Sequence, residues 1–199
     1  MDSGDRPLDA AQGQLLLKLA RSTLMAELGI TPPAAYDAQL TEAMKEPWLN
    51  SPGATFVTLT LHGRLRGCIG SLCSTDPLAE NIRRNAVHAA FHDPRFTPLT
   101  AQEIDQARIE VSVLTEPRPM SYATADELRQ RLRPHRDGVI LRQGHASATF
   151  LPQVWEQLPN AGEFLGQLCL KAGLPRHAWK ECLLEVSTYQ VQHFEEPPT

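Results

Sequence analysis

The chain has 199 residues and a mass of 22.1 kDa, the length of one domain or of two small lobes sharing a core. Its 42% hydrophobic and 21% charged content excludes an unfolded chain, and a net charge of −4 argues against non-specific nucleic-acid binding, which needs a basic footprint. No apolar run approaches the roughly 20 residues of a membrane span, and the acidic start Met1-Asp2-Ser3-Gly4-Asp5 has neither the basic nor the apolar segment of a secretion signal.

Asp9 and Gln12 have capping-box spacing, and Leu15, Leu16, Leu19, Leu24 and Leu28 follow as an apolar stripe, which predicts a helix over about 9–28. Gly29 and Pro32-Pro33 end it. A weaker helix is expected over about 34–44. The β-branched segment at 55–61 reads as a strand, His62-Gly63 as a turn, and 64–69 as the returning arm of a hairpin. Asp76 with Pro77 opens a helix that stops at Asp93-Pro94. Residues 108–114 form a strand with Ile109, Val111 and Val113 on one face and Glu110 and Ser112 on the other.

The second half repeats this order. Thr124 and Glu127 cap a short helix. A hairpin is expected at 138–141 and 146–150 around Gly144-His145, and a helix opens at Asn160 and closes at Gly173. A final strand runs over 183–194. Hairpin, helix and strand thus occur twice, at about 55–114 and 138–194, with no residue-level repeat behind them. The interleaving favours an α+β fold with a mainly antiparallel or mixed sheet over a doubly wound parallel one.

Cysteines stand at 68, 73, 169 and 182, with no CxxC, so reduced thiols in a cytoplasmic protein are expected. The segment Arg64-Leu65-Arg66-Gly67-Cys68-Ile69-Gly70 is the most informative. Strand alternation would put Arg64, Arg66 and Cys68 on one face, and two guanidinium groups beside a thiol favour its thiolate. Gly67 and Gly70 would let a ligand or a second backbone approach. The opposing interpretation is a buried, inert cysteine in a strand with a bulge.

Asp93-Pro94-Arg95 offers an anion-binding arginine near Cys68, or simply a helix-ending turn. Glu110 suits a general base or an ion pair with Arg66, and Ser112 shares its face. His88 and His92 are four apart, but no third ligand is indicated and a solvated helix face is the more common outcome. No metal set and no cofactor motif is indicated.

Leu65-Arg66-Gly67-Cys68-Ile69-Gly70, then Ala89-Ala90-Phe91, Asp93-Pro94-Arg95-Phe96 and Pro98-Leu99, then Ile109-Glu110-Val111-Ser112-Val113-Leu114 resemble the AmmeMemoRadiSam system protein A family, also called the AMMECR-type domain. The likeness continues through Asp137-Gly138-Val139-Ile140, Phe150-Leu151-Pro152-Gln153-Val154, Lys171-Ala172-Gly173-Leu174-Pro175 and Trp179. The resemblance implies a compact two-lobed α+β domain over about 10–195, its second lobe near 121–175, with flexible ends at 1–9 and 196–199. It also implies a site at the Arg66–Gly70 segment, and association with a Memo-like protein and a radical-SAM protein; no reaction comes with it.

Two readings follow. One is a cysteine-dependent enzyme or enzyme component, with Cys68 as nucleophile, Glu110 as proton acceptor, and Arg66, Gly67, Gly70, Asp93, Arg95 and Ser112 around an anionic substrate. The other is a non-catalytic interaction module using the same surface. Cys68 is expected to alkylate fastest of the four thiols, with Cys169 and Cys182 packed inside and Cys73 exposed in a loop.

Overall fold

The computed structural model describes residues 7–197. They divide into two compact units, one of residues up to Glu116 together with the segment from Gln192, the other of Pro117–Val191. Each has a four-stranded sheet, and the fold is α+β.

In the first unit α1 (Ala10–Glu27) starts at Asp9, whose carboxylate accepts from Gln12 N while the Gln12 side chain accepts from Asp9 N. The predicted capping box is therefore present. After α2 (Ala34–Ala43) and α3 (Pro47–Asn50), β1 (Ala54–Leu61) and β2 (Arg64–Gly70) form the hairpin. α4 (Leu78–Val87) follows, but Asp76 does not cap it; its carboxylate pairs with Arg84 instead. The helix then widens into a π turn, His88–His92, before β3 (Ala107–Leu114). Leu16 and Leu24 of α1 and Ile82 of α4 bury against Val57, Leu59, Ile109 and Val111, which line one face of the sheet. Alternation along β1 and β3 leaves Thr58, Glu110 and Ser112 on the other face.

The second unit holds β4 (Arg118–Pro119), α5 (Ala125–Arg131), the hairpin β5 (Gly138–Gln143) and β6 (Ala146–Phe150), then α6 (Ala161–Lys171), α7 (Ala178–Glu181) and β7 (Glu185–Tyr189). Its core is built on Trp155 stacked against Phe164, ring centroids 3.7 Å apart. The expected final strand at 183–194 is two strands. β7 joins the second sheet, and β8 (Val191–Glu195) joins the first. The second unit accordingly runs over Pro117–Val191.

The sheet orders are β2-β1-β3-β8 and β4-β7-β5-β6. In both, the first hairpin strand lies between its hairpin partner and the strand that returns after the helix, so three strands are ordered alike in the two units; the fourth is β8, from the end of the chain, in one sheet and β4, from before the hairpin, in the other. The ends are tied in within the described residues: Leu8 N donates to Gln192 Oε1 at 2.8 Å, and Glu196 N donates to Ile109 O at 3.0 Å. Of the segments expected to be flexible, residues 1–6 and 198–199 lie outside the described ones.

Candidate functional site

β2 is an edge strand, and its register against β1 decides what surrounds Cys68. Thr58 lies opposite Cys68 and Leu59 opposite Gly67, but Thr60 lies opposite Leu65. Arg66 is the extra residue of a bulge, which shifts the alternation by one place. Directly opposed residues share a face, so Leu65 stands on the face of Cys68 and Arg64, opposite Leu61, on the other, while Arg66 has no opposed residue to assign it. The expectation that Arg64 flanks the thiol is corrected.

Arg66 turns instead to the segment after the π turn. Its Nε donates to Glu103 at 3.1 Å, its Nη1 to Thr97 O at 2.7 Å and its Nη2 to Pro98 O at 3.2 Å. With most of its five donors used, it is an anchor and not a binding group for an anion. Glu103, held by Arg66, has its carboxyl lowered to about 2. The expected pairing of Glu110 with Arg66 does not form.

Gly67 lies on the helical side of the sheet. A Cβ there would stand 2.0 Å from Ala89 O, so only glycine lets the π turn press against β2. At Gly70 a Cβ would meet Thr55 O at 2.3 Å and the Phe56 ring at 2.4 Å. Both glycines therefore serve backbone packing. His88 and His92, rings 5.5 Å apart and edge to face, belong to the same turn.

Asp93 and Arg95 close the open edge of β2. Asp93 Oδ2 accepts from Cys68 N at 3.0 Å, and Arg95 Nη2 donates to Cys68 O at 3.2 Å. The two side chains pair through Arg95 Nη2 and Asp93 Oδ2 at 2.7 Å. Arg95 holds the buried Asp93 carboxyl well below the usual carboxylate range, against the opposing effect of burial; the Cys68 N–H adds to the lowering. The pair occupies backbone groups that an edge strand otherwise leaves unpaired.

The polar face of the sheet carries the remaining candidates. Cys68 is half-buried, and Thr58 Oγ1 donates to its Sγ at 3.4 Å. Thr58 lies opposite Cys68 on one side and Glu110 on the other. Thiol and carboxylate strands are thus two spacings apart, about 10 Å. Ser112 Oγ donates to Glu110 Oε1 at 3.1 Å and lies 3.0 Å from His193 Nδ1, which is 3.4 Å from Glu110 Oε1. The His193 hydrogen bond holds the Glu110 carboxyl below its ordinary value, against burial and with help from Ser112 and Arg108.

Cys68, Thr58, Glu110, Ser112 and His193 therefore form one polar row across the sheet, with Arg95 at its β2 edge. Thr58, Glu103 and His193 were not among the sequence candidates. His193 reaches the row only because β8 joins the first sheet, a long-range pairing with no local signal. Cys169 is buried, where desolvation raises its thiol pKa, whereas Cys182 is exposed, as is Cys73. The packed interior expected for Cys182 is corrected.

A two-unit α+β protein with a glycine-flanked cysteine on an edge strand is the class these observations define. The AMMECR1 family model matches residues 17–194, and the chain belongs to that family. A protein from Thermofilum pendens is 37% identical over 202 residues, covering 95% of this chain and 92% of the relative. One from Nanoarchaeum equitans is 39% identical over 162 residues, covering 80% and 89%. The crystal structure of an uncharacterized protein from Pyrococcus horikoshii matches with a TM-score of 0.76 at 32% identity, over 96% of this chain and 94% of that one. Among the described residues no helix is long and apolar enough to cross a membrane.

Proposed function

We propose that the polar row on the first sheet is a cysteine-centred ligand site of a cytoplasmic enzyme or enzyme component, with Cys68 its reactive group. The observation that carries this is the treatment of Cys68. Asp93 and Arg95 fix its backbone, Gly67 seats its strand on the π turn, and the thiol is left half-buried beside Thr58. Fixing a group on rigid elements is what a site requires. The Glu110–His193 pair lies too far away to act on the thiol directly. It suits the other end of a bound molecule, where a carboxylate and an imidazole can hold or move a proton.

The test is ligand protection. Intact protein is alkylated with iodoacetamide with and without the low-molecular-weight fraction of host cytosol. Slower labelling at Cys68 with unchanged labelling at Cys182 supports the site; equal labelling at both counts against it.

A second reading, a non-catalytic interaction module, is favoured by Leu65, which is 45% exposed on the same face as Cys68. We carry over from the family resemblance an association with a Memo-like protein and a radical-SAM protein, as in the AmmeMemoRadiSam system. Co-purification from the native host tests it, and recovery with unrelated proteins alone contradicts it.

A further inference from the structure

The second unit contains a cavity of about 680 Å³ that plays no part in the Cys68 site. Its size falls within the roughly 300–1,000 Å³ of small-molecule sites. α5 contributes Ala125, Asp126 and Arg129, the start of α6 contributes Asn160, Gly162 and Glu163, and the α7 region contributes Arg176, His177, Trp179 and Lys180. We propose that this cavity binds a small organic monoanion, a carboxylate with an apolar body, its head group at Arg176 and Lys180 and its body against Trp179, Gly162 and Ala125.

The charges decide the class. Arg129 is paired with Asp126 at 3.1 Å, and His177 with Glu181 at 3.4 Å. Among the described residues Arg176 and Lys180 have no carboxylate partner; Lys180 Nζ sits 5.2 Å from the centroid of the Trp179 ring. Glu163 is the one acidic lining side chain without a cationic partner among them. Two cations against one carboxylate leave an excess suited to a single negative charge. A phosphate monoester, with about −1.5 to −2 charge at neutral pH, would meet Glu163 with too little compensation.

The apolar part follows from Trp179 and Gly162. Both line the cavity; Trp179 is buried, and a Cβ on Gly162 would lie 3.5 Å from its Cζ2. Asn160 Oδ1 already accepts from Gly162 N and Glu163 N, so the amides that begin α6 are occupied by the protein itself. Anion recognition therefore falls to the side chains, where an arginine fork matches a carboxylate.

The intact chain, labelled with ¹⁵N, is titrated with naphthoate, with its neutral analogue naphthamide, and with inorganic phosphate. Saturable naphthoate shifts centred on the Gly162 and Glu163 amides and the Trp179 indole N–H are expected, with naphthamide weaker by about tenfold, the worth of one charge-assisted hydrogen bond. Arg176→Gln and, separately, Lys180→Gln should weaken naphthoate similarly and leave naphthamide unchanged, while the spectra report that each variant is folded. Phosphate binding as tightly as naphthoate, equal binding of naphthamide, shifts located elsewhere, or no saturable shift would each overturn the proposal.

Discussion

The Asp93 carboxylate accepts the backbone N–H of Cys68 at 3.0 Å while it grips Arg95, which returns a hydrogen bond to the carbonyl of the same cysteine. A side-chain pair thus stands where a neighbouring strand would otherwise pair with β2. Asp93 is buried to 2% side-chain exposure, so its charge depends on these partners. Asp93→Asn keeps the size and removes the charge. It should destabilise the fold by about 2–3 kcal/mol, read as a lower urea midpoint at unchanged slope. A loss below about 0.5 kcal/mol, the usual range of a surface change, would deny Asp93 this role.

Gly67 makes a sharper demand. The obstacle to a Cβ there is the Ala89 carbonyl, at 2.0 Å, and it is backbone, which cannot swing aside. Gly67→Ala should cost about 3 kcal/mol or more, or prevent folding. A variant as stable as the parent would show that the π turn does not press on β2.

Acid should loosen the Arg66 anchor. Glu103 falls from an ordinary value of 4.5 to about 2 in the folded chain. A depressed carboxyl contributes stability that is complete above its unfolded value and disappears as pH falls through the folded one. The contribution should therefore fade between about pH 4.5 and pH 2, by about 1–2 kcal/mol after allowance for solvent screening. Urea midpoints for the parent and Glu103→Gln should converge across that window. Parallel pH profiles would mean the pair contributes nothing.

The Glu110 carboxyl reports on His193. Its lowered value has the His193 hydrogen bond as the largest cause, so His193→Gln should move the Glu110 midpoint upward. Carbon-13 NMR of the side-chain carboxyl over an acid titration measures this. An unmoved midpoint would separate His193 from the polar row.

Much of this was legible in the sequence, for local reasons. The capping box at Asp9, the hairpin around His62-Gly63 and the cap at Asn160 depend on neighbours within a few residues, and each is present. Glu110 and Ser112 share a face because β3 has no bulge in its register with β1. What alternation could not show was the bulge at Arg66. A single extra residue moved Arg64 off the face of Cys68, and no residue type announces it. Glu103 as the partner of Arg66, and His193 as the partner of Glu110, lie 37 and 83 residues away in the chain. The split of the last strand between two sheets is likewise a tertiary choice, since 183–194 reads locally as one extended run.

The central claim is that the Cys68 thiol opens onto the polar row of the folded protein, and native-state alkylation measures it most directly. The other cysteines are internal references: Cys73 and Cys182 are exposed and Cys169 is buried. With iodoacetamide at neutral pH and mass-spectrometric assignment, Cys68 should be modified without unfolding, together with Cys73 and Cys182, while Cys169 stays protected. Arg64→Ala should change the Cys68 rate by less than about twofold, because the bulge puts that arginine on the other face and a surface charge is screened by solvent. Cys68 remaining unmodified until the chain unfolds, alongside Cys169, would contradict the account and leave it a packing residue.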